Sequence, residues 1–364
     1  MKLFQKSSGY IICLFILLLH NSCSEEKLST HEIYEINSEL ILPQAKKATN
    51  KPATESSSCR TEFRLFAPDS ELNDCPFTDF GDIIFSYIFD FFNDPYFDFD
   101  LVNYYLELQK KYVTHYRGDN YFGESGEYNH LADKRTRELE KFWQLERSVI
   151  VNGQHTAFLD DRDILASMIE SFDRSVRNRT EAYAKADLLL EINALSSTIP
   201  ESPYFAMDGF TKSNGLLVIG DGLIESIVNL GVDEKVVFTG IISHEWWHQA
   251  QFEYSEIWED IIEFELDWEK SRFLELEADF AAAYFMTHKR GATYNWKRIE
   301  DFFEVSYNIG DCLIESTNHH GTPNQRLEAA RLGYELAAEA QHKGFILEPQ
   351  AVHKYFIEHY TEVL

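Results

Sequence analysis

The chain has 364 residues, 44% of them hydrophobic, which is enough for a sizeable core in one large domain or two ordinary ones. Its 61 acidic and 33 basic residues give a net charge of −28, which argues against nucleic-acid partners because these are bound by basic surfaces. The same charge argues against electrostatic binding to an anionic membrane.

The first elements of the chain predict export. Lys2 and Lys6 precede a short apolar run at 11–19, which cannot span a bilayer and is typical of a signal peptide over residues 1–22. The run ends in His-Asn-Ser before Cys23, and this end resembles the cleavage site of a bacterial lipoprotein. We therefore expect an outer-membrane or cell-surface lipoprotein attached only through lipid at Cys23, with a periplasmic or secreted protein as the alternative.

Two regions follow the signal peptide. Residues 23–60 are polar and predict a flexible tether. Residues 61–199 predict a mainly helical region, because apolar residues recur there every three or four positions. The predicted helices are 101–112, 133–149, 161–175 and 180–196, with Asp160 or Asp161 as the N-cap of the third.

The cysteines and one acidic segment suggest a disulfide bridge and a possible calcium site. Cys59 and Cys75 form the predicted disulfide, which leaves Cys312 as a free buried thiol. The aromatic and aspartate-rich segment 89–98 could suggest calcium, but it lacks the glycine and the final glutamate of an EF-hand loop. Packing, or a wall of a cleft, is the favoured interpretation.

From residue 200 onward the sequence predicts both strands and helices. Residues 216–219 predict a strand, 223–230 a helix, and 236–252 a helix that is apolar nearly all round and therefore buried. The overall prediction is an α+β fold that is predominantly helical. It places a short β-sheet edge strand next to the apolar helix.

That helix carries His244-Glu245-Trp-Trp-His248, and Glu275 and Asp279 follow on the next predicted helix. Histidines four apart share a helix face, so both can bind one ion, with Glu275 as third ligand and an open position for water. Asp279 is spaced to accept the other ring N–H of a ligand histidine. The alternative for the acids around Glu275 is a solvated helix face.

These motifs resemble the gluzincin zinc metallopeptidases. Ser271-Arg272 with Glu275 and Asp279 is similar to the CAAX prenyl-protein endopeptidases and heat-shock membrane proteases. The run 320–326 is similar to the H-G-T…Q-R element of bacterial neutral zinc metallopeptidases. The resemblance implies a zincin-like domain over 200–364, preceded by the helical region, and transition-state roles for His320 and Arg326.

Two departures from these families stand out. Trp247 occupies the position of a usual glycine, and no membrane-spanning apolar run follows the signal peptide. At the last element, Thr322 and Gln325 predict a capping box that starts a helix beside His320. His288, after the ligand helix, is interpreted as structural.

The resulting hypothesis is a zinc-dependent metalloendopeptidase with one Zn²⁺ per chain. Glu245 would act as general base toward a zinc-activated water, and a peptide or protein substrate would pair with the strand 216–219. The alternative is a non-catalytic zinc-binding lipoprotein of the cell envelope. An intact Glu245 argues against that alternative, because a purely structural zinc site needs no base.

Overall fold

The computed structural model describes residues 79–258, 264, 266–307, 320–343 and 345–364. The predictions for the signal peptide, the lipid at Cys23, the tether, the Cys59–Cys75 bridge and Cys312 lie outside these residues. Helices dominate the described part, together with one small sheet, which confirms an α+β fold that is predominantly helical.

The elements follow in chain order. They are α1 (Asp79–Asn93), α2 (Phe99–His115), α3 (Asn129–Trp143), β1 (Ile150–Gln154), α4 (Arg162–Phe172), α5 (Arg179–Asn193), β2 (Gly209–Thr211), β3 (Leu216–Gly220), α6 (Asp221–Asn229), α7 (Glu234–Trp258), α8 (Asp267–Thr287), α9 (Trp296–Tyr307), α10 (Pro323–Lys343) and α11 (Pro349–Val363). Short 3₁₀ helices lie at Thr156–Leu159 and Pro203–Ala206.

The helices predicted before residue 200 are present with shifted ends. Asp161 is the N-cap of α4, since its carboxylate accepts hydrogen bonds from the backbone N–H groups of Asp163 and Ile164. The largest difference lies at α3, which ends at Trp143 because Gln144 adopts a left-handed conformation with φ of 50°. The predicted helix continued to 149, but residues 144–149 form a connection that leads into β1.

The sheet has the strand order β1-β3-β2. β1 pairs with β3 in parallel and β2 pairs with β3 in antiparallel fashion, so β3 is the middle strand. The prediction that 216–219 meets an extended substrate is therefore wrong, because both edges of β3 are already paired. The strand at the sheet edge next to α7 is β2.

The β2–β3 hairpin is fastened to α7 by Gln249. The amide nitrogen of Gln249 donates to the carbonyl oxygens of Lys212 (2.9 Å) and Leu216 (3.2 Å). Its amide oxygen accepts from Arg147 Nη1 at 3.0 Å. Gln249 is fully buried, and these bonds fix the position of the hairpin along α7.

α7 and α8 form the centre of the core. α8 packs against both α7 and α10, and the side chains of α7 are buried from Val236 to Gln251. Trp247 stands where the similar families usually have glycine. Its indole ring packs against Trp143 (ring centroids 4.7 Å apart) and Trp258 (5.8 Å). The space behind the helix is thus filled by indole rings.

The acids of segment 89–98 serve local structure. The Asp94 carboxylate accepts hydrogen bonds from Ser196 Oγ (2.6 Å), Thr198 Oγ1 (2.8 Å) and Ser197 N (3.0 Å). Asp98 is the N-cap of α2. These contacts favour packing over calcium. Among the described helices, none is long and apolar enough to cross a membrane.

Candidate metal centre

Three side chains from α7 and α8 converge at one point. His244 and His248 lie one turn apart on α7, and Glu275 faces them from α8. His244 Nε2 lies 3.2 Å from His248 Nε2 and 3.3 Å from Glu275 Oε2, and His248 Nε2 lies 3.5 Å from Glu275 Oε1. The three candidate ligand atoms all lie within 4.8 Å of one another.

The other ring nitrogen of each histidine faces an acceptor. His244 Nδ1 lies 2.9 Å from Asp279 Oδ1, so Nδ1 carries the hydrogen and donates it to the carboxylate. His248 Nδ1 lies 2.7 Å from Gln251 Oε1, which can only accept. Both Nδ1 atoms are therefore protonated, and the two Nε2 atoms face the Glu275 carboxylate.

The electrostatics of this cluster call for a cation. Burial lowers the pKa of His244, but the hydrogen bond to Asp279 and the nearby Glu275 carboxylate outweigh it and raise that pKa to about 10. Burial raises the pKa of Glu275, but the surrounding histidines, His320 included, bring it below its usual range. The cluster thus binds a proton strongly, and a metal ion can take the place of that proton.

Three of the acids of α8 are buried. Glu275, Glu277 and Asp279 are at most 4% exposed, which excludes the solvated acidic face considered as the alternative. Each carboxylate has a basic partner within the core, as a buried charge requires.

Arg326 on α10 forms an ion pair with Asp279. Its Nε lies 2.6 Å from Asp279 Oδ2 and its second terminal nitrogen 2.8 Å from Oδ1, a two-pronged ion pair. Burial raises the pKa of Asp279, but Arg326 outweighs it and lowers that pKa. Arg326 therefore holds the carboxylate that orients His244.

His320 is buried beside the centre, at the start of α10. The next residue, Gly321, has φ of 91°, and a Cβ there would lie 2.9 Å from Leu276 Cδ2, so a larger residue would be strained. The predicted capping box is confirmed: Thr322 N donates to Gln325 Oε1 (2.9 Å), and Gln325 N to Thr322 Oγ1 (3.4 Å).

Glu245, which lies on α7 next to His244, has its carboxylate close to the sheet edge. Its side chain is 3% exposed, and a Cβ added to Gly209 would lie 3.7 Å from Glu245 Oε1. The edge strand β2 therefore runs directly past this carboxylate. His288, interpreted as structural, is buried and lies 3.2 Å from the Phe345 carbonyl oxygen through Nε2.

Three further buried residues, Gln251, Glu277 and His353, connect to the centre although no motif indicated them. Gln251 Nε2 donates to Glu277 Oε2 at 2.9 Å, and His353 Nδ1 lies 2.5 Å from Glu277 Oε1. The available signal was weak: an acid between two site acids on α8, and a glutamine three residues after the second histidine.

Comparisons with known proteins matched no family model, no curated protein and no solved structure. The function is therefore inferred from the geometry of the centre.

Proposed function

We propose that the protein is a zinc-dependent metalloendopeptidase whose metal ligands are His244, His248 and Glu275. One observation carries the proposal: two histidine Nε2 atoms and a carboxylate oxygen lie within 4.8 Å of one another, and both Nδ1 hydrogens are directed away from that point. Without a positive charge, these three atoms would repel one another in a buried site.

The donor set suits Zn²⁺. Two histidine nitrogens and one glutamate oxygen match the ligands of catalytic zinc sites, which keep a further position open, whereas a closed structural site would use four protein ligands. When bound, the ion would supply the polarisation that makes water nucleophilic near neutral pH.

The remaining work falls to side chains of this chain. Glu245 would take the proton from the attacking water and return it to the leaving amine. His320, buried beside Glu275, would donate a hydrogen bond to the oxygen that becomes negative. Arg326 would hold Asp279, and Asp279 would keep His244 in the tautomer that leaves Nε2 unprotonated.

A peptide or protein substrate is supported by the sheet edge. Strand β2 lies at the edge of the described sheet, and Gly209 brings its backbone close to Glu245. An extended peptide adding to this strand would bring its carbonyl groups past the Glu245 carboxylate. We further propose that the enzyme works in the cell envelope as a lipoprotein, a proposal based on residues 1–23 alone.

The test compares the full chain with its Glu245→Gln variant, each loaded with zinc and incubated with a diverse peptide library. We expect the variant to bind one zinc per chain yet to lose at least about a hundredfold in cleavage rate, since the general base is gone. Mass spectrometry reads the cuts, and elemental analysis counts the metal. Glu234→Gln, an exposed change on the same helix, is the matched control and should cleave normally.

A second function, a non-catalytic zinc protein, is favoured by the burial of the centre. His244 is only 8% exposed and Glu245 only 3%, so a substrate has narrow access in this conformation. One zinc per chain with no cuts by the wild type would select this second function. Cuts that persist in Glu245→Gln would overturn the assignment of the base.

A further inference from the structure

We propose that His353, on the C-terminal helix α11, is a positioning residue for the metal ligand His248. It would act through Glu277 and Gln251, which connect the two histidines by hydrogen bonds. This inference rests on the proposed function, because it concerns the same centre. It assigns a role in metal binding to a helix far from the H-E-x-x-H motif in sequence.

The first link is the amide of Gln251, whose orientation is determined by its neighbours. Its nitrogen donates to two groups that can only accept, the Leu274 carbonyl oxygen and Glu277 Oε2, both at 2.9 Å. The amide oxygen must therefore face His248 Nδ1, at 2.7 Å. This forces the hydrogen of His248 onto Nδ1 and leaves Nε2 free to bind a metal.

The second link is the carboxylate of Glu277, which has no exposed surface. Its Oε2 accepts from Gln251 and its Oε1 lies 2.5 Å from His353 Nδ1. A carboxylate in such a place needs a donor on each oxygen, because burying a charge without partners is costly. His353 supplies the second donor and thereby keeps Glu277 turned toward Gln251.

The third link is the placement of His353 itself. Its ring stacks on Trp258, with centroids 4.0 Å apart and planes 6° apart, and it meets Phe273 edge-on at 6.1 Å. Trp258 is the last residue of α7, the helix that carries His248. The imidazole is therefore held between the end of the metal helix and the acid that it positions.

The two ligand histidines are thus anchored in parallel ways. His244 is held through Asp279 by Arg326 on α10, and His248 is held through Gln251 and Glu277 by His353 on α11. In both cases an acid of α8 links the ligand side to a basic group on a C-terminal helix. A buried pair with only a packing role would not need a connection to a ligand nitrogen.

The test titrates the purified, metal-depleted full chain with Co²⁺ and records both the affinity and the visible spectrum of the bound ion. For His353→Ala and Glu277→Gln we expect affinity about 10–100-fold weaker than the wild type and a changed spectrum, because His248 loses its fixed orientation. His353→Asn should recover most of the loss, since its amide can donate to Glu277 from the position of Nδ1.

Two controls on α11 separate positioning from general stability. Phe356→Leu loosens the packing of a fully buried ring against Phe273 and Phe280, and His359→Gln removes a histidine that is not connected to Glu277. Both should keep the wild-type Co²⁺ spectrum, even where Phe356→Leu lowers the urea midpoint. If His353→Ala does not fold, Glu277→Gln and His353→Asn decide the question.

The outcomes distinguish two kinds of failure. Wild-type protein that binds Co²⁺, and loses it in Glu275→Ala, while Glu277→Gln and His353→Ala retain affinity and spectrum, would overturn the positioning role alone. Wild-type protein that binds no Co²⁺ and no Zn²⁺ would overturn the metal centre and the positioning role together.

Discussion

At the scale of single residues, the decisive feature is the position of two hydrogens. Asp279 and Gln251 each accept a hydrogen from the Nδ1 atom of a site histidine, and this leaves the two Nε2 atoms facing each other, 3.2 Å apart. Such an arrangement is stable only with a proton or a metal ion between the acceptors. A metal ion must therefore compete with a proton for this site, and its apparent affinity depends on pH.

The first prediction concerns pH. The pKa of His244 is raised to about 10, so in the metal-free protein His244 is protonated below that pH and neutral above it. Zinc must displace this proton, and apparent zinc affinity should therefore rise about tenfold per pH unit from pH 7 to pH 9. Chelator competition across this range measures the slope. Affinity that levels off near pH 6.5, the ordinary value for histidine, would contradict the prediction.

A second prediction concerns Arg326. Arg326→Met leaves the buried Asp279 carboxylate without its two-pronged partner, and we expect zinc affinity about 10–100-fold weaker, because His244 is no longer held. Chelator competition measures the change. The control is Arg331→Met on the same helix, where a surface pair with Glu328 is lost without effect on zinc. Unchanged zinc affinity with slower peptide cleavage would instead assign Arg326 to the transition state.

The predictable site residues are those with local spacing. His244, Glu245 and His248 lie within one helical turn, and Glu275 and Asp279 lie four apart, so both patterns are visible in the sequence. The partners of His248 were not predictable. Gln251 lies three residues after His248 on α7, but the next two links join different helices, α7 to α8 and α8 to α11. No periodic pattern indicates which distant histidine meets a given acid.

At the scale of elements, the start of α10 could be predicted from neighbouring residues alone. The reciprocal bonds between Thr322 and Gln325 occupy two donors that would otherwise be unpaired at the helix start. Strand β1 shows the opposite case. Its sequence contains Asn152 and Gly153, which disfavour strands, and its pairing partner β3 lies far along the chain.

A third prediction follows from this helix start. Thr322→Ala removes the hydroxyl that accepts from Gln325 N, and the free energy of unfolding should fall by about 1 kcal/mol. Urea unfolding in the presence of a chelator measures the loss without any contribution from metal. Thr322→Ser keeps the hydroxyl and should retain most of the stability. An equal loss in the serine variant would show that the methyl group, rather than the cap, provides the stability.

At the scale of the whole molecule, regions on both sides of residue 200 share one core. β1 pairs along its length with β3, Trp143 packs on Trp247, and Arg135 donates through Nε to Thr239 Oγ1 at 3.0 Å. The change in sequence pattern near residue 200 predicted two regions. The sheet and the packing behind α7, however, both combine residues from before and after residue 200.

A fourth prediction follows for a fragment containing only residues 200–364. It lacks the parallel partner of β3 and the indole that packs on Trp247, so we expect no cooperative unfolding and no tertiary signal in near-ultraviolet circular dichroism. Urea titration beside the full chain measures both. A fragment that unfolds cooperatively and binds one zinc would show instead that the earlier region is dispensable for the core.

The three buried acids of α8 also restrict how that helix can sit among its neighbours. Glu275 and Asp279 share one face, and Glu277 points to another, toward α11. A rotation or a one-residue slide of α8 would move every carboxylate away from its basic partner and into apolar surroundings, which costs several kcal/mol for each charge. Only one rotational setting of the helix satisfies all three, so these acids select a single register among the many that its apolar residues alone would permit.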